Sequence, residues 1–84
     1  MKQVTVRYFA SIREALDCGS ERVATTAPTL AALRDELIAR GGAHAQALAR
    51  GNAVRMALDQ AMSDESAVLA DGAEVAFFPP VTGG

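Results

Sequence analysis

Hydrophobic and polar residues alternate near the start of the chain, where Val4, Val6 and Tyr8 fall on one face of an extended segment. A repeat of two is typical of a strand that is buried on one face. The pattern therefore predicts a strand over residues 3–9. Later segments are predicted as strands at residues 21–25, 54–58 and 74–78, and as a loop or short edge strand at residues 60–68.

A second repeat, with the spacing of a helix, follows Thr29. Leu30, Leu33 and Leu37 form one apolar stripe along this segment. The Thr29 hydroxyl is a suitable N-cap, and the glycine pair after the stripe is typical of a helix C-terminus. Charged residues in this segment, including Arg34, are expected off the buried stripe. Shorter helical segments are predicted at residues 10–16 and 43–49.

The order of these elements predicts an α+β fold, a small mixed sheet with one main helix packed across it. A chain of 84 residues, 50% of them hydrophobic and 21% charged, has room for one globular domain. Pro79 and Pro80 end the last strand because neither can donate to a ladder of hydrogen bonds. We therefore divide the chain into a folded domain, residues 1–78, and an extended tail, residues 79–84.

Composition argues against several classes of function. The net charge of −2 disfavours nucleic acid, whose phosphates require a basic surface. One cysteine and one histidine cannot build a Cys-rich metal site, and we expect no metal. No apolar run approaches the ~20 residues of a membrane helix, and the first residues lack the apolar core of a signal peptide. The expected location is the cytoplasm, away from membranes.

Conventional catalytic sets are missing from the sequence. His44 and Cys18 have no catalytic neighbours along the chain, and we expect ordinary structural or surface positions for both. After Arg55 the chain contains acidic residues but no lysine or arginine. This acidic run is either a solvated surface or a docking surface for a basic partner. Its members are Asp59, Asp64, Glu65, Asp71 and Glu74.

The unusual segment is the uncharged tail. Its prolines keep its base extended, and six residues reach at most ~20 Å. Glycine has no Cβ, so the last two residues fit a slot too narrow for other side chains. A free α-carboxylate at the end is a poor acyl donor, but adenylation by another enzyme supplies AMP as a leaving group. The alternative is an ordinary frayed chain end. The tail residues are Pro79, Pro80, Val81, Thr82, Gly83 and Gly84.

Phe78 lies at the base of the tail. Alternation along the last strand places it opposite Val75 and Phe77, which predicts an exposed aromatic anchor for a partner protein. Met62, apolar among polar residues, extends the same contact surface. The alternative places Phe78 under the neighbouring loop as part of the core.

Residues 71–84, which read DGAEVAFFPPVTGG, resemble the C-terminus of the family of small subunits of molybdopterin synthase. Residues 6–14 and 28–34 resemble the first strand and the start of the main helix in that family, so the resemblance spans the chain. Asp59 departs from the asparagine that the family often has at this position. The resemblance implies a ubiquitin-like β-grasp fold and the role of a sulfur carrier.

The resemblance also implies partners and site residues. An activating enzyme that uses ATP with magnesium adenylates Gly84, and a sulfur donor protein converts the product to a thiocarboxylate. The tail then enters the large synthase subunit, against which Phe78 and Met62 pack, and sulfur passes to cyclic pyranopterin monophosphate. The synthase contains two large and two small subunits, and no cofactor is bound permanently to the carrier.

Two other functions stay open on the sequence. One is a sulfur carrier for another pathway, such as thiamin synthesis. The other is a ubiquitin-like protein modifier, which would share the activation step but end in an isopeptide bond.

Overall fold

The computed structural model describes residues 1–80, which form five strands and three helices close to the predicted boundaries. Gly41, which follows the main helix, has a φ of 77°, the left-handed conformation that glycine accepts without strain. The elements are β1 (Lys2–Tyr8), α1 (Ala10–Leu16), β2 (Ser20–Thr25), α2 (Leu30–Ala39), α3 (Gly42–Leu48), β3 (Arg55–Leu58), β4 (Ala61–Ser63) and β5 (Glu74–Phe78).

The strands form one mixed sheet in the order β2-β1-β5-β3-β4. β1 and β5 run parallel at its centre, and the other neighbouring strands are antiparallel. Residues 60–68 contain the edge strand β4, so the second of the two readings of this segment is correct. The predicted α+β architecture is confirmed.

The core lies on one face of the sheet. Val75 and Phe77 of β5 are fully buried in one cluster with Leu33 and Leu37 of α2. The Thr29 side chain caps α2, as predicted, by accepting a hydrogen bond from the Ala32 amide at 3.2 Å. Among residues 1–80, no helix has the length and apolar composition that crossing a membrane would require.

Arg34 is buried and only 5% exposed, so the expectation that it lies off the buried stripe of the helix is wrong. Its Nε donates to the Leu48 carbonyl and its Nη2 to the Ala49 carbonyl, both at 2.8 Å. Its Nη1 pairs with Glu65 at 3.1 Å. The carbonyls belong to the C-terminal end of α3, where a helix leaves acceptors without intrahelical donors. Burial of this charge is therefore matched by hydrogen bonds that tie α2 to α3.

Replacing Arg34 by methionine should lower the free energy of unfolding by about 3 kcal/mol, because buried acceptors lose their donor. The matched control is Arg50→Met. Arg50 also pairs with Glu65 but is 43% exposed, and exposed pairs contribute at most about 1 kcal/mol. Urea unfolding of both variants measures the difference. Equal, small losses would show that the Arg34 contacts do not stabilise the fold.

Candidate functional site

Phe78 lies on the face of the sheet opposite the core, as the alternation predicts. Along β5, Val75 and Phe77 are 0% exposed, whereas Ala76 and Phe78 on the other face are partly exposed. The alternative that places Phe78 within the core is therefore wrong. We call this side of the sheet the outer face.

The strand register brings Met62 onto the same outer face. Ala76 of β5 lies opposite Ala57 of β3, and Ala57 lies opposite Met62 of β4. Adjacent strands are about 4.8 Å apart, so the backbone at Met62 lies about 10 Å from that of β5, two strands away. The Met62 residue is 60% exposed. The structure thus places the two predicted contact residues, Met62 and Phe78, around one open depression.

Phe9 is a third member of this surface that the sequence analysis did not single out. It is 38% exposed, and its amide donates to the Phe77 carbonyl at 3.2 Å, which brings it beside Phe78. The signal was present, because Phe9 continues the face of β1 opposite Tyr8. It lies within the predicted strand, residues 3–9, but only the buried face of that strand was considered.

Two alanines form the floor of the depression. Ala57 and Ala76 are cross-strand neighbours, and their short side chains lie between the larger groups of Phe9, Met62 and Phe78. Exposed apolar surfaces of this kind mark interaction sites, and pockets that receive an anchoring side chain contribute most of the binding energy. We name these five residues the sheet patch.

The tail begins where the sheet patch ends. Phe78 is the last residue of β5, and Pro79 and Pro80 follow it as half-buried residues. Pro79 lines a small groove together with Ile12 and Val54. The predicted roles of four tail residues fall outside the described residues and stay predictions, as does the division into residues 1–78 and 79–84. These four are Val81, Thr82, Gly83 and Gly84.

His44 has a structural partner that the sequence did not reveal. Its Nε2 lies 3.0 Å from Glu21 Oε2, and the same carboxylate accepts hydrogen bonds from the Tyr8 hydroxyl at 2.7 Å and from Arg40 at 2.8 Å. Burial raises the pKa of Glu21, but the hydrogen bonds from His44, Arg40 and Tyr8 outweigh it and lower that pKa from 4.5 to about 2. This cluster joins β1 and β2 to α2 and α3.

Cys18 also has an ordinary local contact, since its thiol donates to the Ser20 carbonyl at 3.2 Å. Within residues 1–80, no group of His, Cys, Asp and Glu side chains is arranged to hold a metal ion.

The acidic run is engaged within the chain. Asp71 accepts a hydrogen bond from the Gln3 amide at 2.8 Å, and Asp59 accepts one from the Glu74 amide at 2.9 Å. Glu65 pairs with Arg34, as described above. These contacts favour a structural role for the run over a docking surface for a basic partner.

The sequence is similar to one known protein family and to individual members of known function. Residues 6–84 match the ThiS family. The molybdopterin synthase sulfur carrier subunit of Escherichia coli (strain K12) is 41% identical over 81 residues, which cover 96% of this chain and 99% of that protein.

Solved structures share the fold. The small archaeal modifier protein 1 of H. volcanii gives a TM-score of 0.78 at 22% identity, over 96% of this chain and 100% of that chain. A chain from the complex of subunits 1 and 2 of molybdopterin-converting factor from Helicobacter pylori 26695 gives 0.68 at 28% identity, over 98% and 99% of the two chains. The ubiquitin-like β-grasp fold is confirmed. The first likeness concerns the fold alone and does not favour a modifier.

Glu21→Gln should lower the free energy of unfolding at pH 7 by about 2 kcal/mol, because charged hydrogen bonds become neutral ones. The folded-state pKa of Glu21 lies below its unfolded value, so the stabilisation is complete above pH 4.5 and is lost as pH falls towards 2. Urea unfolding at several pH values should show the two proteins converging in acid. The control is Glu14→Gln, at an exposed position of α1. A difference that does not depend on pH would contradict the assignment.

Phe77→Ala and Phe78→Ala form a matched pair on one strand. The buried Phe77 should cost about 3–5 kcal/mol of stability when truncated. The partly exposed Phe78 should cost about 1 kcal/mol or less, yet Phe78→Ala should weaken binding of a partner protein at the sheet patch by about 2 kcal/mol or more. Thermal unfolding and calorimetric titration measure the two quantities. Equal losses of stability in both variants would contradict this division of roles.

Proposed function

Because the chain belongs to the ThiS family, we propose that it is the sulfur carrier subunit of a molybdopterin synthase. The observation that supports this most directly is the near-full-length similarity to the Escherichia coli protein of that name. The sheet patch and the tail that follows it give the proposal a physical form. One surface binds the partner, and the adjoining segment carries the reacting group.

The reacting group in this proposal is the α-carboxylate of Gly84. The activating enzyme joins it to the AMP part of ATP, with magnesium, and pyrophosphate leaves. Attack by sulfide sulfur from the donor protein on the carbonyl carbon then breaks the bond to AMP and leaves a thiocarboxylate. Sulfur passes from this group to cyclic pyranopterin monophosphate, water supplies the replacing oxygen, and the carboxylate is restored.

Docking through the sheet patch would fix where the tail starts. Phe78 is both a patch residue and the last residue of β5, so a partner that holds Phe78 also holds the origin of the tail. Pro79, Pro80, Val81, Thr82 and Gly83 then lead Gly84 to a site at most ~20 Å away. Positioning of this kind supplies much of the rate, and acid–base groups come from the partner.

The assembly follows from the same proposal. Two small and two large subunits form the synthase, and Phe78 and Met62 pack against the large subunit. The activating enzyme and the sulfur donor bind the carrier in other steps of the cycle. We place the cycle in the cytoplasm, where ATP is available to the activating enzyme, and we propose no permanently bound cofactor, metal, nucleic acid or membrane contact.

Deleting Gly84 should reduce molybdopterin formation by about 10²-fold or more, because the carbonyl falls ~3.5 Å short of the reacting atoms. One extra residue after Gly84 should have a similar effect by placing that carbonyl in a peptide bond. Gly83→Val should also fail, because a β-branched side chain does not fit a narrow slot. The assay combines each variant, charged with ATP, the activating enzyme and sulfide, with the purified large subunit and the pterin.

All three tail variants should melt at the wild-type temperature, since the changes lie after the folded domain. The exposed variant Glu14→Gln should retain full activity and serves as the control. A wild-type yield from the Gly84 deletion would overturn the carrier mechanism for this protein.

A further inference from the structure

Three arginines share the outer face with the sheet patch. The register places Arg55 of β3 directly opposite Phe78, and Arg7 of β1 opposite Ala76. Arg22 of β2 lies opposite Thr5, two positions before Arg7 on the same face. The apolar surface that adjoins the tail is therefore bordered by positive charge.

The strand residues of this face include more positive than negative side chains. The strands contribute Arg7, Arg22 and Arg55 against one carboxylate, Glu74, which lies 3.8 Å from Arg7. Within residues 1–80, neither Arg22 nor Arg55 takes part in an ion pair. The strand positions of the outer face thus carry a net positive charge on a chain whose net charge is −2.

Acidic residues near Arg55 are held by other groups. Asp64 and Glu65 line a neighbouring depression together with Arg55. Asp64 accepts hydrogen bonds from Ser66, and Glu65 pairs with Arg34. Asp64 stays charged, but within residues 1–80 neither of these carboxylates forms an ion pair with Arg55.

The occupant that fits this face has a specific chemistry. An apolar side chain would fill the depression over Ala57 and Ala76, and carboxylates around it would meet the arginines. A second copy of this chain fits poorly, because a symmetric contact through the same patch brings like charges together. Rim charges of this kind mainly set the association rate and exclude wrong partners.

We propose, on the basis of the function proposed above, that the large subunit presents carboxylates to Arg55 and Arg22 around the apolar contact, and that these arginines determine partner choice. The partner surface proposed here is acidic. The docking surface that the acidic run offered as an alternative would have required a basic partner.

The test measures association rates with the purified large subunit from the same organism. Arg55→Glu and Arg22→Glu should each slow association about tenfold at low salt, because long-range attraction becomes repulsion. The difference should shrink at about 1 M salt, where the Debye length is about 3 Å. Arg55→Lys should keep a rate close to that of the wild type, because the charge is retained.

Arg13→Glu is the matched control. It makes the same change in net charge at an exposed position of α1, outside the sheet patch, and should alter the rate less than twofold. If Arg13→Glu slows association as much as the Arg55 and Arg22 variants do, the effect comes from net charge alone and the proposal is overturned. Unchanged rates for the Arg55 and Arg22 variants, or dimerisation of the free wild-type chain through this face, would also overturn it.

Phe78→Ala separates this inference from the proposed function. If Phe78→Ala weakens binding but the arginine variants do not, the charge inference is wrong and the carrier function stands. If the wild-type chain does not bind the large subunit at all, the proposed function itself fails.

Discussion

The parallel pairing of β1 with β5 is the contact on which the rest of the structure depends. It joins the first strand of the chain to the last, with Val6 opposite Val75 and Tyr8 opposite Phe77. The core is buried on one side of this pair. On the other side the same pairing brings Phe9 next to Phe78, so the sheet patch exists only when both ends of the chain have met. Contacts this distant in sequence are costly to close and form slowly during folding.

Two charged side chains hold the short helix α3, whose N-cap residue is Gly41, a residue with no side chain to cap it. Glu21 binds Arg40 and His44 near the start of the helix, and Arg34 binds the carbonyls of Leu48 and Ala49 at its end. A seven-residue helix is too short to be stable alone. Its position therefore depends on polar contacts from β2 and α2 as well as on apolar packing.

The periodicity of apolar residues predicted the features that depend on neighbouring residues alone. Alternation on β5 separated Phe77 from Phe78, and the apolar stripe with Thr29 located α2. Arg34 was misplaced because a hydrophobic pattern treats every charge as exposed, whereas its acceptors lie 14 and 15 residues away. The partner of His44 lies 23 residues away and left no local signal either. The arginine border of the sheet patch depends on strand register, which the sequence did not specify.

The central position of β5 has a mechanical consequence. A partner that draws on the tail applies tension at Pro79, directly in line with a strand that is hydrogen-bonded on both sides, to β1 and to β3. A load along the strand axis shears both ladders at once, whereas an edge strand under the same load would be held by one ladder only. The two ladders therefore resist loss of the strand that carries the tail when a partner pulls on it.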